Sequence, residues 1–127
     1  MLVKVSVDPA APGSEELMQE LSRQLTALDV GDVQTIKQKG PEGTLSLATV
    51  VVVLQIAYWT SKAGKALLDV VRDIREKHSV SHNLTLKDVP PIRLVAEGKT
   101  TTTLSVPAKQ ADEDTFLRET ESAGGDQ

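Results

Sequence analysis

The feature that most constrains the fold is an apolar segment from Leu45 to Trp59, which reads LSLATVVVVLQIAYW. It holds fifteen residues without a charge, whereas the sequence around it is polar and ordinary. Exposing this much apolar surface to water is unfavourable, so such a segment is normally buried. The segment must therefore lie in a core, against a partner or in a membrane.

We expect the segment to form a buried helix. The valines at 50–53 favour a strand intrinsically, but apolar residues continue at helical spacing beyond Trp59. They are Ile56, Trp59, Ala63, Leu67, Val70 and Ile74. The other side of this helix is charged, with Lys62, Lys65, Asp69, Arg72, Asp73, Arg75 and Glu76. The pattern predicts a helix from Thr44 to Lys77, either broken or bent near Thr60 to Gly64 or protruding from the body.

A membrane span is the less favoured interpretation of the same segment. A span needs about 20 apolar residues, and this one is shorter and is interrupted by Ser46, Thr49 and Gln55. However, Tyr58 and Trp59 are followed by lysines, as in the belt of residues at a membrane interface.

The sequence before the apolar segment predicts a strand, a helix and a second strand. Residues 2–7 alternate apolar and polar side chains, which is typical of a half-buried strand. Ser14 is a suitable N-cap for a helix. Its apolar stripe is Leu17, Leu21, Leu25 and Leu28. A short strand is predicted over Val33 to Lys37, before the turn Gly40 to Gly43.

The sequence after the long helix predicts a β-hairpin. Ile92 to Ala96 and Thr101 to Val106 are strand-like, and Gly98 lies at the turn between them. The fold class is therefore α+β, in the order β-α-β-α-β-β. We expect a single small domain over residues 1–108, then an acidic segment at 109–121 with room for one short helix. Residues 122–127 are predicted to be a disordered tail.

Charge and composition restrict the function classes. The net charge is −4, but the charges are unevenly distributed. Residues 37–109 carry 11 basic and 6 acidic side chains, whereas residues 110–127 carry 1 basic and 6 acidic ones. Aromatic residues are only 2% of the chain, so a stacking surface for nucleic acid is not expected. The chain has no cysteine and no recognisable secretory signal at its start, which favours a cytoplasmic protein.

No catalytic, cofactor or metal site is predicted from the residues. His78 and His82 have the four-residue spacing of metal ligands on a helix. They fall where the helix is expected to have ended, and spacing does not place an acid such as Asp88 beside them. A basic helix C-terminus explains them more simply. No nucleophile elbow or paired general acid and base can be singled out.

The layout resembles the effector-associated constant component family of small bacterial conflict-system proteins. The matching features, in order, are the strand LVKVSV, a helix entered through SEEL, the turn GPEG, an apolar helix with the charged end VRDIREK, and the hairpin IRLVAEGKTTTTLSV. The resemblance covers residues 1–106 and is one of pattern and order. The longer connection from His78 to Pro91 and the acidic tail depart from it.

The resemblance implies a non-enzymatic adaptor that couples a signalling NTPase or sensor to a protease or other effector, encoded by neighbouring genes. The expected docking surface is an exposed part of the 44–77 helix or a free edge of the hairpin. The interaction residues predicted on the helix are Val52, Ile56, Tyr58, Trp59, Lys62 and Lys65. The alternative is a membrane-acting component whose apolar helix, residues 45–59, inserts into or lies on a bilayer. Association with a second copy of the chain stays open.

Overall fold

Over the residues that it describes, 1–8, 10–38, 49–56 and 59–124, the computed structural model is an α+β domain of three helices and a five-stranded antiparallel sheet. The predicted fold class is therefore confirmed. The elements are β1 (Leu2–Val7), α1 (Ser14–Leu28), β2 (Asp32–Gln38), β3 (Thr49–Gln55), α2 (Ser61–Ser81), β4 (Ile92–Glu97), β5 (Thr101–Val106) and α3 (Gln110–Gly124).

The apolar segment contains a strand where a helix was predicted. Residues 49–55 form β3, which lies between β1 and β2 in the sheet. Val52 and Leu54 are fully buried on one face, and Val51 is nearly buried on the other. β-branched side chains pack well on the pleated surface of a sheet, so the four valines suit this position between two strands. The predicted helix from Thr44 to Lys77 is therefore wrong over 49–55, and residues 39–48 lie outside the described part.

Helix α2 begins close to the position where a break was expected. The Thr60 side chain caps it by accepting a hydrogen bond from the Ala63 N–H at 3.1 Å. The helix continues to Ser81, four residues beyond the predicted end at Lys77. Its seven buried residues include Leu67, Leu68, Val71 and Ile74. The extra turn changes the position of both histidines, as described below.

Helix α1 has the predicted apolar face but a different N-terminus. Gly13, not Ser14, is the N-cap residue, and its φ of 76° is in the left-handed region that favours glycine. The buried side chains are Leu17, Met18, Leu21 and Leu25. They pack against the sheet and against α2 in one continuous core.

The sheet order β2-β3-β1-β4-β5 gives the molecule two different faces. On the inner face, Val5 lies between Val52 and Leu94, and all three are buried in the core with the helices. On the outer face, Lys4 pairs with Glu97 at 3.2 Å, and both side chains are partly exposed. The predicted hairpin is confirmed as β4 and β5.

The C-terminal helix belongs to the core. Phe116 and Leu117 of α3 are buried, and the Phe116 ring contacts Trp59 edge to face at a centroid distance of 6.3 Å. The short helix expected in segment 109–121 is longer and runs from Gln110 to Gly124. Residues 122–124 are thus helical rather than part of a disordered tail, and residues 125–127 lie outside the described part.

Candidate functional site

The predicted interaction residues do not form one exposed surface. Val52, Ile56 and Trp59 are each at most 1% exposed, because they fill the space between the sheet and the helices. A partner could contact these three only if the helices separated from the sheet. Lys62 and Lys65 are exposed on the first turns of α2. Tyr58 lies outside the described residues.

The membrane alternative relied on an apolar helix at 45–59, and the described part of that segment contains a strand. Among the described residues, no helix combines the length and the apolar character needed to cross a membrane.

The edge of the sheet formed by β5 is one candidate binding surface. Among the described residues, β5 pairs only with β4, so one side of its backbone has no neighbouring strand. Its sequence, TTTLSV, carries no charge and no proline. Natural edge strands usually carry lysine, proline or a bulge that prevents pairing with another chain. β5 therefore has a backbone suited to accept a further strand.

A groove runs along this edge between β5 and α3. Its volume is about 500 Å³. The apolar part of its lining includes Leu104 and Phe116, and the charged side chains along it are Lys109, Asp112 and Glu119. Because α3 is held by the core contacts of Phe116 and Leu117, the groove has a fixed wall beside the exposed backbone.

A second candidate is a group of three side chains that we call the histidine cluster, composed of Glu16, His78 and His82. One ring nitrogen of each histidine and one carboxylate oxygen of Glu16 all lie within 4.8 Å of one another. The two imidazole rings are stacked, with centroids 3.9 Å apart. His82 Nε2 lies 2.9 Å from Glu16 Oε2. The cluster joins the first turn of α1 to the last turn of α2.

Gly13 makes room for the histidine cluster. A Cβ atom at this position would lie 2.7 Å from His78 Cε1, 3.0 Å from His78 Nε2 and 3.8 Å from His82 Nε2. Both Nε2 atoms therefore lie near residue 13, and a side chain at this position would collide with the His78 ring. A cavity of about 250 Å³ adjoins the cluster, and Glu20 and Lys77 also line it.

The electrostatics of the cluster favour a neutral His78. Burial lowers the pKa of His78 below its ordinary value, the charge of His82 lowers it further, and the Glu16 carboxylate opposes both effects. At neutral pH the His78 ring therefore keeps an unprotonated nitrogen. Among the described residues, His78 Nε2 is buried and has no hydrogen-bond partner.

The sequence reasoning found the two histidines but not their acidic neighbour. It placed them beyond the end of the helix, whereas α2 continues to Ser81 and His82 is its C-cap residue. The nearest acid is Glu16, from a helix more than 60 residues earlier, and not Asp88, which accepts a hydrogen bond from Thr85 at 2.8 Å. The four-residue spacing of the histidines was the only local signal, because Glu16 comes close only when α1 packs on α2.

Comparisons of the chain with protein-family models, with curated proteins and with solved structures find no match.

Proposed function

We propose that this protein is a non-enzymatic adaptor of a bacterial conflict system, acting in the cytoplasm. It couples a signalling NTPase or sensor to a protease or other effector encoded nearby. The single observation that carries the proposal is the outer edge of β5, beside the α3 groove, with which no other described strand pairs. The family resemblance of residues 1–106 gives the biological setting.

The adaptor binds an extended segment of its partner as a sixth strand of the sheet. Main-chain hydrogen bonds along Thr101–Val106 supply affinity without requiring a particular partner sequence. Side chains alternate along a strand, so every second residue of the partner enters the groove and contacts Leu104 and Phe116. The intervening residues lie on the outer face beside Thr103 and Ser105.

The charges of the groove favour a basic residue in the partner segment. Of the described residues, Asp112 and Glu119 line the groove together with one lysine, Lys109. These two carboxylates would attract a lysine or arginine of the partner that faces α3. Such rim contacts contribute more to partner choice and association rate than to affinity.

The test is to measure binding between the purified chain and the purified products of neighbouring genes. One variant, T103K with S105K, adds two charges to the outer face of β5 without removing a core side chain. We expect it to lose at least about tenfold in affinity, because charged residues on an edge oppose strand addition. The matched control is Gln34→Lys, on the same face of β2 at the opposite edge of the sheet, which should bind like the parent.

Hydrogen exchange gives a second and more direct readout. Binding should slow exchange at amides of Thr101–Val106 and leave β2 unchanged. If a partner binds but β5 exchange stays the same and the double-lysine variant keeps its affinity, the docking surface is elsewhere. If no neighbouring-gene product binds, the adaptor function itself is refuted.

A further inference from the structure

His78 and Trp59 are the two side chains among the described residues that have a buried polar atom without a hydrogen-bond partner. Of the two, only His78 can bind a metal ion there, because the indole N–H of Trp59 is solely a donor. His78 is 6% exposed, and its Nε2 atom is buried without a hydrogen-bond partner in the described part of the chain. Leaving a buried polar atom unpaired is costly, so buried imidazoles normally have a partner. A group that binds this nitrogen would remove that cost.

The neighbours of His78 are themselves metal-ligand types. His82 Nε2 and Glu16 Oε2 already lie 2.9 Å apart, and the three ligand atoms of the histidine cluster lie within 4.8 Å of one another. A tetrahedral Zn²⁺ ion with ligands at about 2.1 Å would hold them about 3.4 Å apart. Because the two rings are stacked at an interplanar angle of 25°, closing the set requires one ring to rotate as well as a contraction of the order of an ångström. The side chains of His82 and Glu16 are exposed enough for both movements.

The hydrogen bonds of His82 prepare its ring for this role. Its Nδ1 lies 3.3 Å from the main-chain carbonyl of His78, which can accept the Nδ1 proton. This leaves Nε2, the nitrogen beside Glu16, as the ligand atom. Metal-bound histidines commonly donate their other N–H to a carbonyl or carboxylate in this way.

The donor set and the adjoining cavity suggest the kind of ion and its coordination. Two imidazoles with one carboxylate suit Zn²⁺ and related first-row divalent ions better than Ca²⁺ or Mg²⁺, which prefer oxygen. Three protein ligands leave a fourth position for water. The cavity of about 250 Å³ beside the histidines has room for it. The Lys77 ammonium that also lines this cavity is paired with Asp73 at 3.0 Å.

We infer that Glu16, His78 and His82 bind one divalent transition-metal ion, with Zn²⁺ as the best-suited ion. The ion would fasten the N-terminal turn of α1 to the C-terminal turn of α2. Since the ligands are assembled only in the folded chain, metal binding stabilises the fold. The site is far in sequence from β5 and does not depend on the adaptor proposal.

The test is titration of the full chain, without a histidine tag, with ZnCl₂ in a non-chelating buffer at neutral pH by calorimetry. We expect one ion per chain and a rise in the thermal unfolding midpoint. Co²⁺ should give the visible absorption bands of a low-symmetry four-coordinate site. Glu16→Gln and His82→Gln change exposed ligands and leave the buried His78 in place, so both variants should fold.

Loss of a supporting neighbour of a metal ligand typically costs about 10- to 100-fold in metal affinity, and loss of a ligand should cost at least as much. The matched control is Glu15→Gln, in the same first turn of α1 but outside the cluster, and it should bind Zn²⁺ like the parent. The inference is overturned if the parent shows no saturable binding. It is also overturned if both ligand variants keep their affinity within about twofold, or if the control loses as much as they do.

Discussion

At the scale of single residues, Arg75 shows how a charged side chain can hold a loop together from inside. The sequence pattern placed it on the charged side of its helix, yet it is only 6% exposed. Its guanidinium donates hydrogen bonds to the carbonyl oxygens of Leu86, Val89 and Pro90 at 3.1, 3.2 and 3.5 Å. Burial lowers the pKa of Arg75, but arginine stays charged in proteins. Arg75 thus fixes the end of the irregular connection between α2 and β4 that leads into β4.

Replacing Arg75 by methionine should destabilise the domain. The substitution keeps most of the apolar stem but removes every donor, so main-chain carbonyls of the connection lose their partner. We expect the free energy of unfolding to fall by about 2 kcal/mol, since hydrogen bonds to charged groups contribute about 1.5–3 kcal/mol. Urea unfolding measures the change. Arg118→Met, at an exposed position of α3, should change it by no more than about 0.5 kcal/mol. If Arg75→Met and Arg118→Met lowered the free energy of unfolding equally, Arg75 would not stabilise the connection.

At the scale of elements, the local sequence pattern predicted the helices and strands whose two faces differ in polarity. β1 and α1 show clean periods of two and about 3.6 residues, and the hairpin has a glycine turn. β3 was missed because it carries valines on its outer face, at 51 and 53, as well as on its inner face, so the alternation of apolar and polar residues disappears. Because the helical spacing of apolar residues in α2 can be extended back into the apolar segment, the pattern predicted one helix over both. The segment forms a strand because it pairs with β1 and β2. A short stretch of sequence does not show this pairing.

The same limit explains the candidate sites. The hairpin was predicted, and its edge was expected to be free, but the groove beside it depends on where α3 packs. The histidine cluster likewise depends on how α1 packs on α2. Sequence spacing can place two residues on one face of one helix. It cannot state which residue of a second helix will lie against them.

Two valine-to-threonine substitutions test the strand assignment of the apolar segment. Threonine keeps the size and β-branching of valine, so it tests burial of a hydroxyl rather than shape or strand propensity. Val52→Thr, on the fully buried inner face, should cost about 2 kcal/mol, because burying an unpaired hydroxyl costs about 1–3 kcal/mol in proteins. Val53→Thr, on the half-buried outer face, should cost about 0.5 kcal/mol or less.

The difference between these neighbouring positions is the informative quantity, and urea unfolding midpoints at constant slope give it directly. A strand places residues 52 and 53 on opposite faces of the sheet, one against the helices and one away from them. If the two substitutions lowered the free energy of unfolding by similar amounts, the faces assigned to β3 would be wrong.

At the scale of the whole molecule, the acidic C-terminal segment closes the core. Residues 110–127 carry six acidic side chains and one basic one, and the sequence predicted an acidic segment at 109–121 that follows the domain. Instead, α3 buries Phe116 and Leu117 against the rest of the fold, and the buried Glu113 forms an ion pair with Arg72 of α2. Helix α3 is also one wall of the β5 groove, so folding and the proposed docking depend on the same element.

A chain that ends at Lys109 should therefore lose most of its stability. Removing a buried phenylalanine side chain typically costs about 3–5 kcal/mol and a leucine about 2–5 kcal/mol. The free energy of unfolding of a whole domain is only about 5–15 kcal/mol. We expect the truncated chain to unfold at much lower urea or without a cooperative transition. Trp59 is the only tryptophan and packs on Phe116, so its fluorescence should shift to longer wavelength as water reaches the ring.

A chain that ends at Gly124 is the control, because it keeps all of α3 and should unfold like the full chain. Phe116→Ala gives an intermediate case, in which the helix is retained but the contact with Trp59 is lost. The expected order of stability is full chain and Gly124 truncation, then Phe116→Ala, then Lys109 truncation. If the Lys109 truncation unfolded cooperatively at the midpoint of the full chain, with unshifted Trp59 emission, residues 1–108 would be a complete domain and α3 would not be part of its core.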